Sequence, residues 1–324
     1  MLSMALRTRH VIPGTRNRPR IVTAALPEAL PMPRRMMIVF NPAAGGRRLR
    51  RLLAALDVMR GLGMRPEVAE TTCRGHATKL ARDAARDGVR TIVAAGGDGT
   101  IAEVAAGLSG SDSALGVLPL GTANVLALEL GLPRSPARAA EVLAMGRTAL
   151  LHPGLARYAD GRQVLFVQML GAGFDAAVVH HLPGGLKRVI GKGAYVLQTI
   201  REMPRYRFPT VSAELDGRRE DAASVIVTKG RLYAGRFLLA PGADPHAEGF
   251  HVALFRDAGV LAAMRYGAAL PLGLLPRLRG VDLIRAGTVR LAGIGVPAQA
   301  DGDAAGGLPV EIGPAPRPMR IVVP

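Results

Sequence analysis

Tryptophan is absent, cysteine occurs once, and aromatic residues make up only 4% of the 324-residue chain. The single Cys73 excludes an internal disulfide and a cysteine-built metal cluster. With so few aromatic rings, the core must be assembled from Ala, Leu and Val, which supply much of the 49% hydrophobic content. No apolar run reaches the roughly 18 residues a spanning helix needs. A continuous signal-type apolar segment is missing as well, so the expectation is a reduced, cytoplasmic protein. Lysine is scarce too, at four of the 42 basic residues. The net charge of +17 therefore rests on arginine. A bias toward Arg, Ala, Gly and Pro is the mark of a GC-rich genome and accounts for part of that charge. No RNP, helix-turn-helix or zinc-finger pattern accompanies it, so no specific nucleic acid is expected as a partner.

Residues 1–33 hold five prolines, Arg7, Arg9, Arg16, Arg18 and Arg20, and one acid, Glu28. They read as a basic, disordered tail. Order begins at "RRMMIVFNP", a buried-strand pattern ending in Asn41-Pro42. From there to about residue 150, apolar runs such as "VRTIVAAGG" and "ALGVLPLG" alternate with amphipathic stretches such as "RGHATKLARDAARDG". That alternation predicts an open α/β, Rossmann-like nucleotide-binding domain with a parallel sheet and helices on both faces. Residues 151–313 differ in character. "RQVLFVQML", "TVSAELDG", "AASVIVTKG" and "GFHVALF" are short strand patterns punctuated by turns, with Asp160-Gly161 and Asp216-Gly217 as hairpin signals. They predict an antiparallel β-sandwich domain. "MRIVVP", within 314–324, is a further strand that can return to the first domain.

The stretch "VAAGGDGTIAEVAAGL" (93–108) joins a strand pattern to a helix pattern through Gly96, Gly97, Asp98, Gly99 and Thr100. Such a turn presents unpaired helix N–H groups, and glycine lets a phosphate approach the backbone. Asp98 repels phosphate unless a cation intervenes, so it points to Mg²⁺ or to a polarising contact with a reacting group. "GLKRVIGKG" lacks the spacing of a Walker loop. "GAGFDA" (171–176) lacks the acid a dinucleotide site places about 20 residues onward.

"GGDGTIAEV", "NPAAGG" (41–46) and "LGVLPLGTAN" (115–124) together resemble the catalytic domain of the diacylglycerol kinase family, the bacterial soluble lipid kinases related to sphingosine and ceramide kinases. "GAGFDAAV" (171–178), "YAGRFLLAPGA" (233–243) and "ADGD" (300–303) continue the resemblance in family order. It implies an ATP- and Mg²⁺-dependent lipid kinase acting in lipid metabolism and phospholipid biosynthesis, with ATP contacts at Asn41, Thr71, Gly97 to Glu103, Gly121 and Thr122. It implies a base near the C-terminus, where the family carries Asp-Gly-Glu and this chain has Asp303, with Asp301 in reserve. It also implies a structural Mg²⁺ site at a family Asp-Gly that is Glu248-Gly249 here, while Lys229 in "VTKG" replaces a usual asparagine. A lipid substrate implies transient docking at the anionic inner face of a membrane. "LKRVIGKGAYVLQTIREMPRYRF", with Lys187, Arg188 and Lys192, and "LAAMRYGAALPLGLLPRLRG" are the candidate segments. Two other readings remain open. One is an NAD kinase-like enzyme, which shares GGDGT. The other is a nucleotide-binding module without activity, which the Asp303 and Glu248 departures favour.

Overall fold

In the computed structural model, which describes residues 35–42, 46–181 and 198–324, the chain forms two layered bodies joined by a cleft. The tail 1–33 and the Lys187, Arg188 and Lys192 cluster lie outside the described residues.

The first body carries a six-stranded sheet. Strands β1 (Met36–Phe40), β2 (Glu67–Glu70), β3 (Thr91–Gly96) and β4 (Ala114–Pro119) pair parallel in the order β2-β1-β3-β4. β1, β3 and β4 are buried along their whole length, as central strands covered on both faces must be. Helices α1 (Gly46–Gly61) and α5 (Pro136–Met145) share one face through Leu52, Met59 and Leu143. Helices α2 (His76–Arg86) and α3 (Asp98–Leu108) share the other through Ala77, Ala81, Ile101 and Val104. The shortage of aromatics has a direct consequence at this contact. A Cβ on Gly107 would lie 2.8 Å from the Ala81 Cβ and close against the Thr78 carbonyl, so two small-residue faces let the helix backbones approach closely. The short helix α4 (Val125–Glu129) follows β4.

After β5 (Arg147–Leu151) the chain leaves for the second body. There, β6 (Gly154–Tyr158), β7 (Gln163–Phe166), β8 (Met169–Ala172) and helix α6 (Phe174–His180) come first. The hairpin β9 (Val211–Leu215) and β10 (Arg218–Ala222) turns at Asp216-Gly217, both at positive φ. β11 (Ser224–Thr228), the small hairpin β12 (Leu232–Tyr233) and β13 (Phe237–Leu238), β14 (Phe250–Phe255) and helix α7 (Val260–Ala269) follow. β15 (Val281–Ala286), β16 (Val289–Ala292), β17 (Pro297–Ala300), β18 (Asp303–Gly307) and β19 (Val310–Pro314) complete it. Two antiparallel sheets, β10-β9-β16-β19-β6-β7 and β15-β14-β11-β8-β17-β18, enclose Phe166, Val227, Phe250, Leu291 and Ile312. α7 covers part of the outer face of the second sheet with Ala262, Tyr266 and Ala269. β20 (Met319–Val323) then returns to the first body, parallel to β4 and antiparallel to β5.

The run "RQVLFVQML", a single strand pattern in the sequence, is divided between the two sheets. The break has a cause: the Asp301 carboxylate accepts the N–H groups of Val167, Gln168 and Met169 at 2.8–2.9 Å, so those donors leave the ladder as the chain crosses over.

The two bodies are tied at Glu129, the last residue of α4, whose side chain is 1% exposed. It accepts from Arg231 Nε at 2.8 Å and from the Leu232 N–H at 3.0 Å, just before the β12–β13 hairpin. Replacing Glu129 with Leu keeps the bulk and strands the Leu232 donor. We expect a stability loss of about 1–3 kcal/mol in urea unfolding; a loss below about 0.5 kcal/mol, the range of ordinary surface changes, would show that the tie contributes nothing.

Candidate functional site

The ends of β3 and β4 lie side by side at the carboxyl edge of the parallel sheet, where ligands of open α/β folds bind. The Gly96 carbonyl accepts from both Leu120 and Gly121 N–H at 2.9 Å. Gly97 and Gly121 meet backbone to backbone. A Cβ on Gly121 would collide with the Gly97 Cα and come within 2.7 Å of Asn124 Oδ1. Neither glycine has a positive φ, so close approach is what requires glycine at this contact. Asn124, at φ 50° and buried, braces the second turn by donating from Nδ2 to the Gly121 carbonyl at 2.8 Å and accepting the Gly121 N–H at 3.0 Å.

Asp98 opens α3 and also caps α4. Its Oδ2 accepts the Asn124 N–H at 3.0 Å and its Oδ1 the Val125 N–H at 2.6 Å. The glycine turn thereby fixes the start of the helix whose far end carries the Glu129 tie. Glu103 plays a parallel part: its Oε2 accepts the Ala77 N–H at 3.2 Å at the start of α2, and its carbonyl takes the Thr78 hydroxyl at 2.9 Å. Asn41 donates from Nδ2 to Thr100 Oγ1 at 3.2 Å, and the Thr71 N–H donates to the Phe40 carbonyl at 2.8 Å. Asn41, Thr71, Gly97, Asp98, Gly99, Thr100, Glu103, Gly121 and the exposed Thr122 all line one cleft of about 1850 Å³. Gly96 lies just beneath, packed on the Thr100 side chain.

Positive charge gathers at this end of the cleft. Arg47, Arg48, Arg51 and Arg74 line it. Arg51 is committed to the fold, donating to the carbonyls of Pro119, Leu120 and Arg134. Burial, and then the neighbouring Arg51, hold the partly buried Arg48 guanidinium below its ordinary value. This is an environment that an incoming anion relieves. The sequence spacing gives no means of choosing among the seven arginines between 47 and 74.

The second body supplies the opposite wall. Asp303 opens β18 with its side chain 40% exposed, 3.7 Å from Arg74 Nη2. A Cβ on Gly99 would lie 3.4 Å from Asp303 Oδ2, so the Asp303 carboxylate faces the glycine turn across the cleft. Asp301 is turned inward. Burial pushes it up to about 6 against the pull of three backbone N–H groups, and Asp98 adds to the rise. The loop between them is braced at Gly302, whose N–H donates to Gln299 Oε1 at 2.8 Å. Gln299 Nε2 donates at 2.9 Å to Asp175, which also accepts the Tyr233 hydroxyl. Burial raises Asp175 above the usual carboxylate range. Asp175 sits in "GAGFDA", a motif whose strand–turn–helix form is realised by β8 and α6 within an antiparallel sheet. The sequence showed the residue; its partners Tyr233 and Gln299 come from distant segments. Past this network the cleft turns apolar, lined by Phe174, Ile226, Phe237, Leu239, Phe255 and Met264 among others.

The hairpin residue Asp216 and the metal candidate Glu248 lie elsewhere. Asp216 stabilises its hairpin by accepting from the Gly287 and Thr288 N–H groups, away from the cleft. Glu248 is exposed and does not line the cleft.

A glycine turn, a facing carboxylate and an apolar arm thus share one cleft. Residues 35–155 match the diacylglycerol kinase catalytic domain, and residues 168–323 match the YegS C-terminal NAD kinase beta sandwich-like domain. Over 240 residues the chain is 32% identical to the diacylglycerol kinase of Bacillus subtilis, covering 72% of this chain and 77% of that one. It is 29% identical over 253 residues to the diacylglycerol kinase of Mycobacterium tuberculosis, covering 76% and 81%. Its fold is similar to a diacylglycerol kinase structure from Bacillus anthracis str. Sterne, with a TM-score of 0.66, 17% identity, and 90% and 97% of the two chains covered. The chain belongs to the diacylglycerol kinase catalytic-domain family of lipid kinases.

The glycine contact carries a test. Gly121→Ala forces the two turns apart, and overpacking of this kind typically costs about 1–3 kcal/mol. We expect a folded, destabilised protein that loses most of its nucleotide affinity in calorimetry, whereas Ala at the open position Gly61 changes neither. Wild-type nucleotide affinity in Gly121→Ala would show that the turns have room to part.

Proposed function

We propose that this protein transfers the γ-phosphoryl group of ATP to the hydroxyl of a membrane lipid, diacylglycerol-like or sphingoid. The observation that carries this reading is the single cleft with two chemistries. One end combines glycine turns and arginines, the other is an apolar arm, and Asp303 lies between. ATP lies along Gly97–Thr100 and Thr122, with α3 offering its helix N-terminus and Arg47, Arg48 and Arg74 offsetting the triphosphate charge. The lipid hydroxyl sits against Asp303, which takes its proton as the oxygen attacks the γ-phosphorus and ADP leaves. Positioning and electrostatics supply most of the rate.

Mg²⁺ fits this end of the cleft. Asp98 lines it and supplies the hard carboxylate oxygen that Mg²⁺ prefers. Mg²⁺ keeps much of its shell as water and phosphate oxygen and takes only one or two carboxylates. When bound it would neutralise charge on the transferring phosphoryl group. Among the described residues there is no cluster of three or more His, Cys, Asp or Glu side chains able to cage a metal alone.

The lipid reaches the cleft from a bilayer. No helix of the described residues is long and apolar enough to cross a membrane. Instead, α7 and the segment after it project Leu261 (83% exposed), Met264, Leu272 (69% exposed) and Leu274 into solvent, with Arg277 and Arg279 exposed nearby. Val260 and Met264 line the cleft as well, so the apolar surface is continuous with the apolar arm. An interfacial anchor of this kind pairs shallow apolar insertion with attraction to anionic lipid.

Incubation with γ-labelled ATP and separate diacylglycerol, ceramide, sphingosine and NAD acceptors tests the reading. Labelled lipid supports it. Labelled NAD supports the NAD kinase-like alternative, and no labelled product supports the inactive module.

Two variant experiments sharpen it. Asp303→Asn should leave ATP binding nearly intact and lower transfer by about 10²–10⁴, the usual cost of losing a general base. Asp303→Glu, which keeps a carboxylate, should remain active. An active Asp303→Asn beside a dead Asp303→Glu would move the base to another carboxylate. For docking, Leu261→Gln with Leu272→Gln should weaken sedimentation with anionic vesicles about tenfold or more, given about 1.5–3 kcal/mol for each fully buried Leu. Activity on detergent-dispersed lipid should be nearly unchanged. Equal losses in both assays would assign these residues to the fold.

A further inference from the structure

Lys229 follows the end of β11 and is 3% exposed, although lysine is almost never buried without a partner. Its backbone N–H donates to the Gln168 carbonyl at 2.7 Å, which fixes where the side chain starts. The ammonium ends inside the loop that precedes β14. Nζ donates to the Ala247 carbonyl at 2.7 Å and to the Gly249 carbonyl at 2.5 Å, and lies 5.2 Å from the centre of the Phe250 ring. Asp244 and Glu248 are the negative charges that act on it from the same loop. Burial pushes it down to about 8 against the pull of those two carboxylates.

Convergent backbone carbonyls flanked by carboxylates form the donor set of a hard-cation site. This is the site to which the family resemblance assigns Mg²⁺ through Glu248. We propose that in this chain the cation of that site is the Lys229 ammonium itself, so that the loop is held by a tethered charge and takes no metal. The two carbonyls that would coordinate an ion are already hydrogen-bonded to Nζ. A divalent ion placed on them would bring its two positive charges against a third within a few ångströms. Glu248, pointing to solvent, is left as an outer counter-charge.

The consequence extends to how the two bodies sit together. The same loop is the part of the second body that grips β5: the Pro245 carbonyl accepts the His152 N–H at 3.0 Å, and His246 Nδ1 lies 2.6 Å from the Leu150 carbonyl. Lys229 therefore secures a contact beside the Glu129 tie, and it does so without drawing on the cell's free metal.

Thermal unfolding without nucleotide tests this separately from the kinase reading, because no readout involves phosphoryl transfer. The wild type should have the same Tm in EDTA and in millimolar Mg²⁺, and Glu248→Gln should show the same indifference. Lys229→Met, which keeps the length and removes the donors, should lose about 4–10 °C, the shift that corresponds to stranding buried carbonyls in a chain of this size. A Lys229→Met protein with wild-type Tm would overturn the proposal. So would a wild-type Tm that rises with Mg²⁺ and loses that rise in Glu248→Gln. If Lys229→Met does not fold, the wild-type and Glu248→Gln comparison decides alone.

Discussion

Two glycine turns that touch backbone to backbone set the geometry on which the rest of the molecule depends. Because Gly97 and Gly121 carry no side chains, the ends of β3 and β4 close into one floor. Because they are adjacent, Asp98 of the first turn reaches the N–H groups that open the helix of the second. That helix ends at Glu129, which holds the hairpin carrying Tyr233. Tyr233 meets Asp175, Asp175 meets Gln299, and Gln299 braces the loop between Asp301 and Asp303. The phosphate end of the cleft and the carboxylate facing it are thus connected by a chain of hydrogen bonds through both bodies. Each link is a group whose desolvation would be costly if left unpaired.

The lysine that many phosphate-binding loops use is missing from this turn, and other groups surround it. Backbone N–H groups at the opening of α3 lie beside arginines from α1 and from the loop before α2. Arg51 is spent on carbonyls of the scaffold, while Arg47 and Arg48, on the same helix, line the same cleft.

Much of this was legible in the sequence, and the limits have physical reasons. Alternating periodicity gave the parallel sheet and then the antiparallel strands, because burial on one or both faces writes itself into spacing. The glycine turn and the family motifs pointed to residues that gather at one end of the cleft. Spacing could not show that Asp98 and Glu103 each cap a helix from another segment, since capping from outside the helix leaves no local pattern. Nor could it divide "RQVLFVQML" between two sheets, because the cause is a carboxylate more than a hundred residues away. Lys229 looked like a departure of unknown cost, and its role appears only when the loop around residues 247–249 closes on it. Long-range polar contacts are the part of a fold that one-dimensional patterns carry least.

β20 lies between β4 and β5 in the first sheet, and the ribosome makes it after the whole of the second body. The first sheet therefore stays open on one side until the sandwich has been made, with the β4 and β5 edges unpaired. Assembly is ordered by topology: an emerging chain has both glycine turns of the cleft before it has the strand that closes the sheet behind them.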